Sequence, residues 1–265
     1  MKVSDFIVEF LESKGISSVF ELSGGMITHI LDSFNQKTAI DIITMHHEQA
    51  AAFAAEGYAR VTGLPGIALA TSGPGATNLL TGIGSCYFDS TPAIFITGQV
   101  NRHELKGDRG IRQLGFQETD IVSMARPITK ACFHISDPDS IPKVFEEAFK
   151  IALEGRPGPV LIDIPMDVQR IQIQPEYFDI ERSEHSEIDS LVLQNLIQDI
   201  KQAKRPLVLS GRGIKASNCQ NLFDQFIAKT KVPVITTLLG LDTIAFDDLQ
   251  RVGFIGSYGN RWANI

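Results

Sequence analysis

Strand patterns and helix patterns alternate along the first 165 residues, and this alternation constrains the fold more than any other feature of the sequence. Residues 3–13 repeat apolar side chains at helical spacing, and Ser18–Leu22 is typical of a short strand. Because strands separated by helices pair in parallel, the pattern predicts an α/β fold with a doubly wound, mostly parallel sheet. The predicted strands are residues 18–22, 40–45, 67–71, 92–97 and 160–164, and the predicted helices are 3–13, 27–35, 49–62, 76–87 and 139–154.

A second α/β pattern follows an acidic, irregular stretch that is typical of an interdomain linker. Beyond it we predict helices at 189–203 and 217–230 and strands at 206–210 and 232–237. The sequence then runs to its last residue without a closing helix or strand, so we expect an incomplete Rossmann-like domain. The predicted organisation is a first domain at 1–170, a linker at 171–188 and a truncated central domain at 189–265.

The charge pattern argues against nucleic-acid and membrane partners. The sequence carries 24 Lys+Arg and 31 Asp+Glu, a formal net charge of -7, without a basic block. No apolar run reaches the ~18 residues of a membrane span, and the N-terminal helix contains acids, unlike a signal peptide. Cys86, Cys132 and Cys219 lie far apart, which predicts buried thiols rather than disulfides or a zinc site. We therefore expect a cytoplasmic protein.

Three loops follow predicted strands at one edge of the sheet, where ligands bind in doubly wound folds. Glu48 lies between a strand predicted to be buried and an alanine-rich helix, although an acid there also complements the helix dipole. The turn at 72–75 is typical either of a phosphate cradle or of a tight turn without a ligand. A dinucleotide fingerprint is disfavoured because Asn78 replaces its third glycine. Together with residues 23–25, these loops predict a planar or anionic ligand along this edge.

A set of motifs resembles the thiamine diphosphate-dependent enzymes of the acetolactate synthase type, and it occurs in family order over nearly all of residues 1–170. The chain is therefore similar to that family's N-terminal, pyrimidine-binding domain followed by part of its central domain. The motifs are HEQ at 47–49, GYAR at 57–60, TSGPGATN at 71–78, TGQV at 97–100, FQE at 116–118, GRPGPV at 155–160 and DIP at 163–165, with GRG at 211–213, TTLLGL at 236–241 and GSYG at 256–259 in the central part.

The resemblance implies that Glu48 activates the cofactor thiamine diphosphate. The family's glutamate hydrogen-bonds a ring nitrogen of the aminopyrimidine and favours the imino tautomer, whose nitrogen removes the thiazolium C2 proton. This prepares the cofactor for addition to a 2-oxo acid and for its decarboxylation. Gln117 shares the catalytic assignment and lies beside the substrate with Phe116. The other residues that the resemblance places around the pyrimidine ring and the reactive carbon are Leu22, Ser23, Gly24, Thr71, Pro74 and Asn78.

In the central part, the resemblance implies a flavin-contacting turn. Its residues are Gly211, Arg212, Gly213 and Gly256. Tyr258 stands where the family has a histidine, so the sequence leaves FAD binding open. Leu22-Ser23 likewise replace the family's usual Tyr-Pro before the two glycines.

The loop that precedes Phe116 is several residues longer than in acetolactate synthases. We hypothesise that its basic residues meet an anionic substrate, such as a nucleotide-linked sugar or an acyl-CoA; the alternative is a solvated loop. These residues are Arg102, His103, Lys106, Arg109 and Arg112.

The family holds the cofactor's diphosphate through Mg²⁺, using a Gly-Asp-Gly motif of its C-terminal domain. Gly107-Asp108-Arg109-Gly110 lacks that spacing. We therefore predict no metal ligand in this chain, which would carry half of an active site. The other half would come from a homo-oligomer, dimer or tetramer, or from a separate diphosphate-binding chain.

The leading functional prediction is thiamine diphosphate-dependent decarboxylation of a 2-oxo acid, pyruvate above all, with carboligation, as in acetolactate synthase and branched-chain amino acid biosynthesis. Two alternatives stay open: a non-oxidative decarboxylase of 2-oxo acids or oxalyl-CoA, and a non-catalytic pyrimidine-domain remnant that binds partners. A nicotinamide dehydrogenase is disfavoured by Asn78.

Overall fold

A computed structural model describes residues 1–37, 39–175 and 188–265. The chain divides into two compact units, Met1–Ser183 and Glu184–Ile265. Most of the predicted linker, residues 176–187, lies outside the described residues. In the described part of the chain, every helix is too short or too polar to cross a membrane.

The first unit is built on a six-stranded parallel sheet with the strand order β2-β1-β3-β4-β6-β5. The chain runs outward from β1 to β2 and then returns to the other side of β1 to form β3, so the winding direction reverses between β1 and β3. This confirms the predicted doubly wound sheet. The strands are β1 (Ser18–Leu22), β2 (Asp41–Thr44), β3 (Gly66–Ala70), β4 (Ala93–Gln99), β5 (Ala131–His134) and β6 (Pro159–Pro165).

Helices cover both faces of this sheet. The predicted helix at 76–87 is in fact two helices, which meet at Leu79, and the sequence patterns missed β5 and α6, which have only 4 and 5 residues. The helices are α1 (Val3–Ser13), α2 (Thr28–Lys37), α3 (Glu48–Thr62), α4 (Pro74–Asn78), α5 (Leu80–Asp89), α6 (Ile121–Ala125), α7 (Ile141–Leu153) and α8 (Met166–Gln169), with 3-10 turns at Gly25–Ile27, Arg102–Glu104, Arg126–Ile128 and Pro138–Ser140.

The prediction that the strand before Glu48 is buried was wrong. β2 lies at the edge of the sheet, where β1 is its partner strand among the described residues, and most of its side chains are exposed. Ile43, for example, is 39% exposed. The apolar residues of this strand therefore reflect a preference for the β conformation and do not indicate burial in the core.

The face of the sheet that carries α1 and α7 is packed by aromatic rings. The Phe10 ring lies 5.5 Å from Phe145 and 5.2 Å from Phe149, both edge to face. Phe6 and Phe10 lie on the apolar stripe of α1, which is buried almost completely. The two ends of the first unit also meet here, because Val3 N–H donates to the Ile171 carbonyl and Lys2 pairs with Gln172 in an isolated antiparallel bridge.

On the opposite face, the backbone of α3 lies in direct contact with the backbone of the sheet. A side chain at Gly66 would collide with the Ala55 carbonyl, and one at Gly82 of α5 would collide with Ala52. The alanine-rich sequence of α3 is therefore what lets the helix approach both β3 and α5. This close packing fixes the start of α3, where Glu48 lies.

The second unit holds a three-stranded parallel sheet in the order β7-β8-β9. The sequence patterns missed β9. The core is small: Phe223, Ile227, Val234 and Ile244 form its cluster of buried apolar residues. The elements are α9 (Ser190–Gln202), β7 (Val208–Ser210), α10 (Gly213–Ala216), α11 (Gln220–Thr230), β8 (Val234–Thr236) and β9 (Arg251–Phe254), with 3-10 turns at Leu238–Gly240 and Arg261–Ala263.

No disulfide joins the three cysteines in the described part of the chain, but the expectation that all are buried holds only for Cys86. Cys132 and Cys219 are partly exposed. Partial burial nevertheless raises the pKa of the Cys132 thiol.

Candidate active site

The loops singled out in the sequence meet at the point where the winding of the first sheet reverses. Residues 22–25 follow β1, residues 45–48 follow β2 and residues 71–75 follow β3, and these three strands are neighbours in the sheet. Their carboxyl ends face the same edge because the strands are parallel. A crevice at such a reversal is where doubly wound sheets bind ligands.

Thr71 joins the loops that follow β1 and β3. Its Oγ1 accepts a hydrogen bond from Met26 N–H at 3.1 Å. Gly24 and Gly75 lie so close to its side chain that neither position has room for a Cβ; at Gly75 a Cβ would be 2.7 Å from Thr71 Cγ2. We call Gly24, Thr71 and Gly75 the glycine cradle.

Glu48 is the first residue of α3 and lies against this cradle. The preceding residue, His47, is the N-cap, and its Nδ1 accepts a hydrogen bond from Gln49 N–H. The Glu48 side chain is well buried, with the residue 7% exposed. Asn78 Nδ2 donates to its Oε2 at 2.9 Å, while a Cβ at Gly75 would lie 3.2 Å from its Oε1. Asn78 is the hydrogen-bond partner of this carboxylate within the described residues, which leaves Oε1 to accept from a ligand.

Gln117 reaches the same turn from the loop after β4. A Cβ at Gly73 would lie 2.7 Å from the Gln117 Cβ, so the two backbones are in close contact. Gln117 has a φ of 59°, a left-handed conformation that is costly for a residue with a side chain. Its neighbour Phe116 is 74% exposed. Ser72 Oγ is buried without a hydrogen-bond partner among the residues that the structure describes, so the turn presents an unsatisfied polar atom as well.

The remaining predicted residues of the first unit flank this pocket. Leu22 ends β1, Pro74 is exposed at the first position of α4, and Ser23 Oγ donates to the Glu21 carboxylate at 3.0 Å. Glu21 was missed in the sequence, although a charged residue inside an apolar strand is a signal for it. It is 1% exposed, and Thr44 Oγ1 also donates to it, at 2.5 Å.

The four residues assigned to a flavin-contacting turn lie in the second unit. Gly211, Arg212 and Gly213 follow β7, and Gly256, with a φ of 117°, follows β9. Both turns are at the carboxyl edge of the small parallel sheet. Thr236 Oγ1, at the end of the central strand β8, is buried and has no hydrogen-bond partner in the described part of the chain.

A second buried carboxylate, Asp163, anchors a polar network that sequence analysis missed. It is 2% exposed on β6 and accepts hydrogen bonds from Thr97 Oγ1 at 2.7 Å and Gln99 Nε2 at 3.1 Å. His134 Nδ1 lies 2.9 Å from the same carboxylate, and this contact raises the pKa of the imidazole. Gln99 Nε2 also donates to the Thr119 carbonyl, so the network reaches the segment just after Gln117.

The long basic loop does not expose all of its cations equally. Arg102 forms an ion pair with Asp167 and donates to the Ser136 carbonyl, so it is already engaged. Glu118 accepts hydrogen bonds from the backbone N–H groups of Lys106 and Leu114, both at 2.7 Å, and thereby closes the base of a loop. We call residues 106–114 the cationic lobe. Within the described residues, no three His, Cys, Asp or Glu side chains cluster in a way that could hold a metal ion.

Two family models match the chain. The one described as "Thiamine pyrophosphate enzyme, N-terminal TPP binding domain" covers residues 1–124, and "Thiamine pyrophosphate enzyme, central domain" covers residues 193–265. The first range holds β1 to β4 and the glycine cradle, and the second holds most of the second unit.

Curated relatives match along nearly the whole chain. It is 38% identical over 269 residues to "Acetolactate synthase 2, chloroplastic" of Nicotiana tabacum, covering 99% of this chain and 39% of that protein. It is 35% identical over 271 residues to the "Acetolactate synthase large subunit" of Lactococcus lactis subsp. lactis, covering 99% and 45%. For the "Probable acetolactate synthase large subunit" of Methanocaldococcus jannaschii the identity is 37% over 275 residues, covering 100% and 45%. The chain thus spans less than half the length of these relatives.

Proposed function

Since the chain belongs to the thiamine pyrophosphate enzyme family, we propose that it takes part in thiamine diphosphate-dependent decarboxylation of a 2-oxo acid, with pyruvate as the predicted donor, followed by carboligation as in acetolactate synthases. One observation carries the proposal: the buried Glu48 carboxylate lies against the glycine cradle where the winding of the sheet reverses, with one oxygen accepting a hydrogen bond from Asn78 and the other without a hydrogen-bond partner among the described residues.

The residues present fit the aminopyrimidine end of the cofactor. The absence of Cβ atoms at Gly24 and Gly75 lets the Thr71 side chain pack between these loops beside Glu48, and the Ser72 hydroxyl, buried without a hydrogen-bond partner among the described residues, is a polar atom that a ring substituent can satisfy. Glu48 keeps one carboxylate oxygen for a ring nitrogen. A largely apolar, preformed crevice with a few polar groups is the usual form of a cofactor site.

When bound, thiamine diphosphate supplies a thiazolium that accepts the electrons released by decarboxylation. Glu48 shares a proton with a pyrimidine ring nitrogen through the oxygen that Asn78 leaves free. Asn78 holds the carboxylate in place by its hydrogen bond to Oε2. Gln117, held next to Gly73 by its strained backbone, presents its amide beside the substrate.

Replacing Glu48 by Gln tests this assignment. The amide keeps the shape of the side chain but cannot share a proton, so we expect kcat for pyruvate consumption, measured with the diphosphate-binding half of the site supplied, to fall by about 10² or more. Thermal unfolding followed by circular dichroism should be nearly unchanged. The matched control is Glu147→Gln on α7, which should keep wild-type turnover. Wild-type turnover by Glu48→Gln would refute the role of Glu48.

From the family resemblance we also propose that Mg²⁺ and the diphosphate end of the cofactor are held by another domain or another chain. The Gly211–Gly213 and Gly256 turns, with the unsatisfied Thr236 hydroxyl beside them on the central strand, support an FAD site in the second unit. Tryptophan and flavin fluorescence during FAD titration would test it, with Gly256→Val as the blocking variant.

We propose a homo-oligomer, dimer or tetramer, or a pairing with a diphosphate-binding chain. α3 and α5 pack against each other and leave aromatic rings on the surface, with Phe53 42% exposed and Phe88 71% exposed. Analytical ultracentrifugation of the wild type and of Phe88→Ser would compare their oligomeric states. A cytoplasmic location and a place in branched-chain amino acid biosynthesis stay predictions; three cysteines that no disulfide joins in the described part of the chain suit a reducing compartment.

A further inference from the structure

The cationic lobe carries charge that the proposed chemistry on Glu48 does not use. The lobe contains three basic residues, Lys106, Arg109 and Arg112, and one acidic residue, Asp108. Residues 106–114 therefore have a formal charge of +2, in a chain whose net charge is -7. None of the three cations forms an ion pair within the described residues. Arg109 and Arg112 are exposed. Neighbouring cations that lack ion-pair partners repel one another, and binding of an anionic ligand reduces that repulsion.

The base of the lobe is fixed although its tip is exposed. Both oxygens of Glu118 accept backbone N–H groups, one from each end of the lobe. Arg109 Nη1 donates to the Leu105 and Lys106 carbonyls at 2.9 and 3.1 Å, which folds its guanidinium over the base. The cations are therefore held together on one closed loop instead of being spread along a free chain.

The lobe lies within reach of the proposed reaction centre. Its last residue, Leu114, is three positions before Gln117, and three residues span at most about 10 Å. Gln117 in turn contacts Gly73 at the glycine turn. A substrate whose reacting carbon lies near Gln117 can therefore extend a second group to the lobe.

The number of cations in the lobe indicates which chemical group of a substrate would bind there. A simple 2-oxo acid has a single carboxylate, which the reaction itself requires at the cofactor. A phosphate or diphosphate brings about two or three negative charges, which match three cations, and guanidinium groups bind phosphate oxygens in pairs.

We propose that the cationic lobe binds the phosphate or diphosphate group of a substrate, which is thereby larger than pyruvate. This proposal rests on the proposed function, since it names the substrate class of the same site. Lys106, Arg109 and Arg112 determine the specificity, and Glu118 positions them. Arg102, occupied by Asp167, takes no part.

The test is calorimetric titration of uridine diphosphate into the protein saturated with thiamine diphosphate and Mg²⁺, with uridine as the uncharged comparison. Wild type should bind the diphosphate at least tenfold more tightly than uridine, and more weakly as KCl rises from about 50 to 200 mM. Arg109→Ala with Arg112→Ala should weaken this binding at least tenfold. Arg112→Ala alone, whose side chain makes no hydrogen bond within the described residues, reports the effect without disturbing the lobe's own contacts.

The matched control is Lys143→Ala with Lys201→Ala, which removes two cations from exposed positions on α7 and α9 and should leave binding within twofold of wild type. Equal binding of uridine and its diphosphate, or wild-type binding by both arginine variants, would overturn the proposal. So would a loss of thiamine diphosphate affinity in these variants, since the lobe would then serve the cofactor. Failure of the proposed function is visible separately, as wild-type protein that releases no CO₂ from pyruvate while it still binds the diphosphate.

Discussion

The glycine cradle and the cationic lobe are stabilised in opposite ways. The cradle is held by contacts between loops that follow different strands, and its neighbour Glu48 is 7% exposed. The lobe is closed at its base by Glu118 and by the hydrogen bonds of Arg109 to the Leu105 and Lys106 carbonyls, and its arginines are exposed. The difference separates two tasks: proton sharing needs atoms fixed by packing, whereas attraction of a charged group needs accessible charge.

A pair of glycine substitutions tests this difference most strongly. At Gly75 an added Cβ would lie 2.7 Å from Thr71 Cγ2 and 3.2 Å from Glu48 Oε1, whereas at Gly110 it would meet nothing within 4 Å. We expect Gly75→Ala to lower the free energy of unfolding by about 1–3 kcal/mol and to abolish thiamine diphosphate binding, because the cradle must open. Gly110→Ala should change neither quantity. Urea denaturation and cofactor titration measure both, and equal behaviour of the two variants would contradict a packed cradle.

Removal of the Thr71 hydroxyl should have a smaller effect. Thr71→Val keeps the shape that contacts Gly24 and Gly75 but leaves Met26 N–H without its acceptor, so we expect a loss of about 1 kcal/mol in unfolding free energy. The control is Thr77→Val, whose hydroxyl bonds only to the Pro74 carbonyl of its own helix. Chemical denaturation of both variants decides; a control as unstable as Thr71→Val would mean that the loops are not joined through Thr71.

The smallest expected effect concerns pH and the network between these regions. The His134 pKa is raised in the folded protein, mainly by the hydrogen bond to Asp163, with Asp120 adding a further favourable charge. Protonated His134 therefore stabilises the fold fully below its unfolded pKa of about 6.5, and this contribution is lost as the pH rises through the higher folded pKa. Relative to His134→Gln, wild type should lose stability between those limits in urea titrations. Parallel pH profiles for the two proteins would argue that His134 stays neutral.

The sequence predicted the fold where the signal is local. Helical spacing in 3–13, the alanine-rich run from 49 and the strand at 18–22 each gave an element within a few residues of its observed bounds. The order of motifs then identified the family, and the structure brings Glu48, Asn78 and Gly24 together around Thr71. Their catalytic and binding roles stay predictions.

What the sequence did not reveal depends on partners distant in the chain. β5 and β9 have 4 residues each and gain their strand character from pairing with β6 and β8. The exposure of β2 follows from its edge position, which no local pattern encodes. Likewise, Asp163 receives His134 and Gln99 from two other strands, and Glu118 reaches back 12 residues to Lys106.

The packing of α1 against α7 affects how the first unit folds during its synthesis on the ribosome. Phe10 leaves the ribosome long before Phe145 and Phe149, the rings that cover it. At 5–20 residues per second the delay is roughly 7 to 27 seconds. During that interval the aromatic stripe of α1 lacks its final cover, although α2 is already made. The first unit thus completes its core only near the end of its own synthesis, so nascent chains of this protein expose their earliest helix for longest.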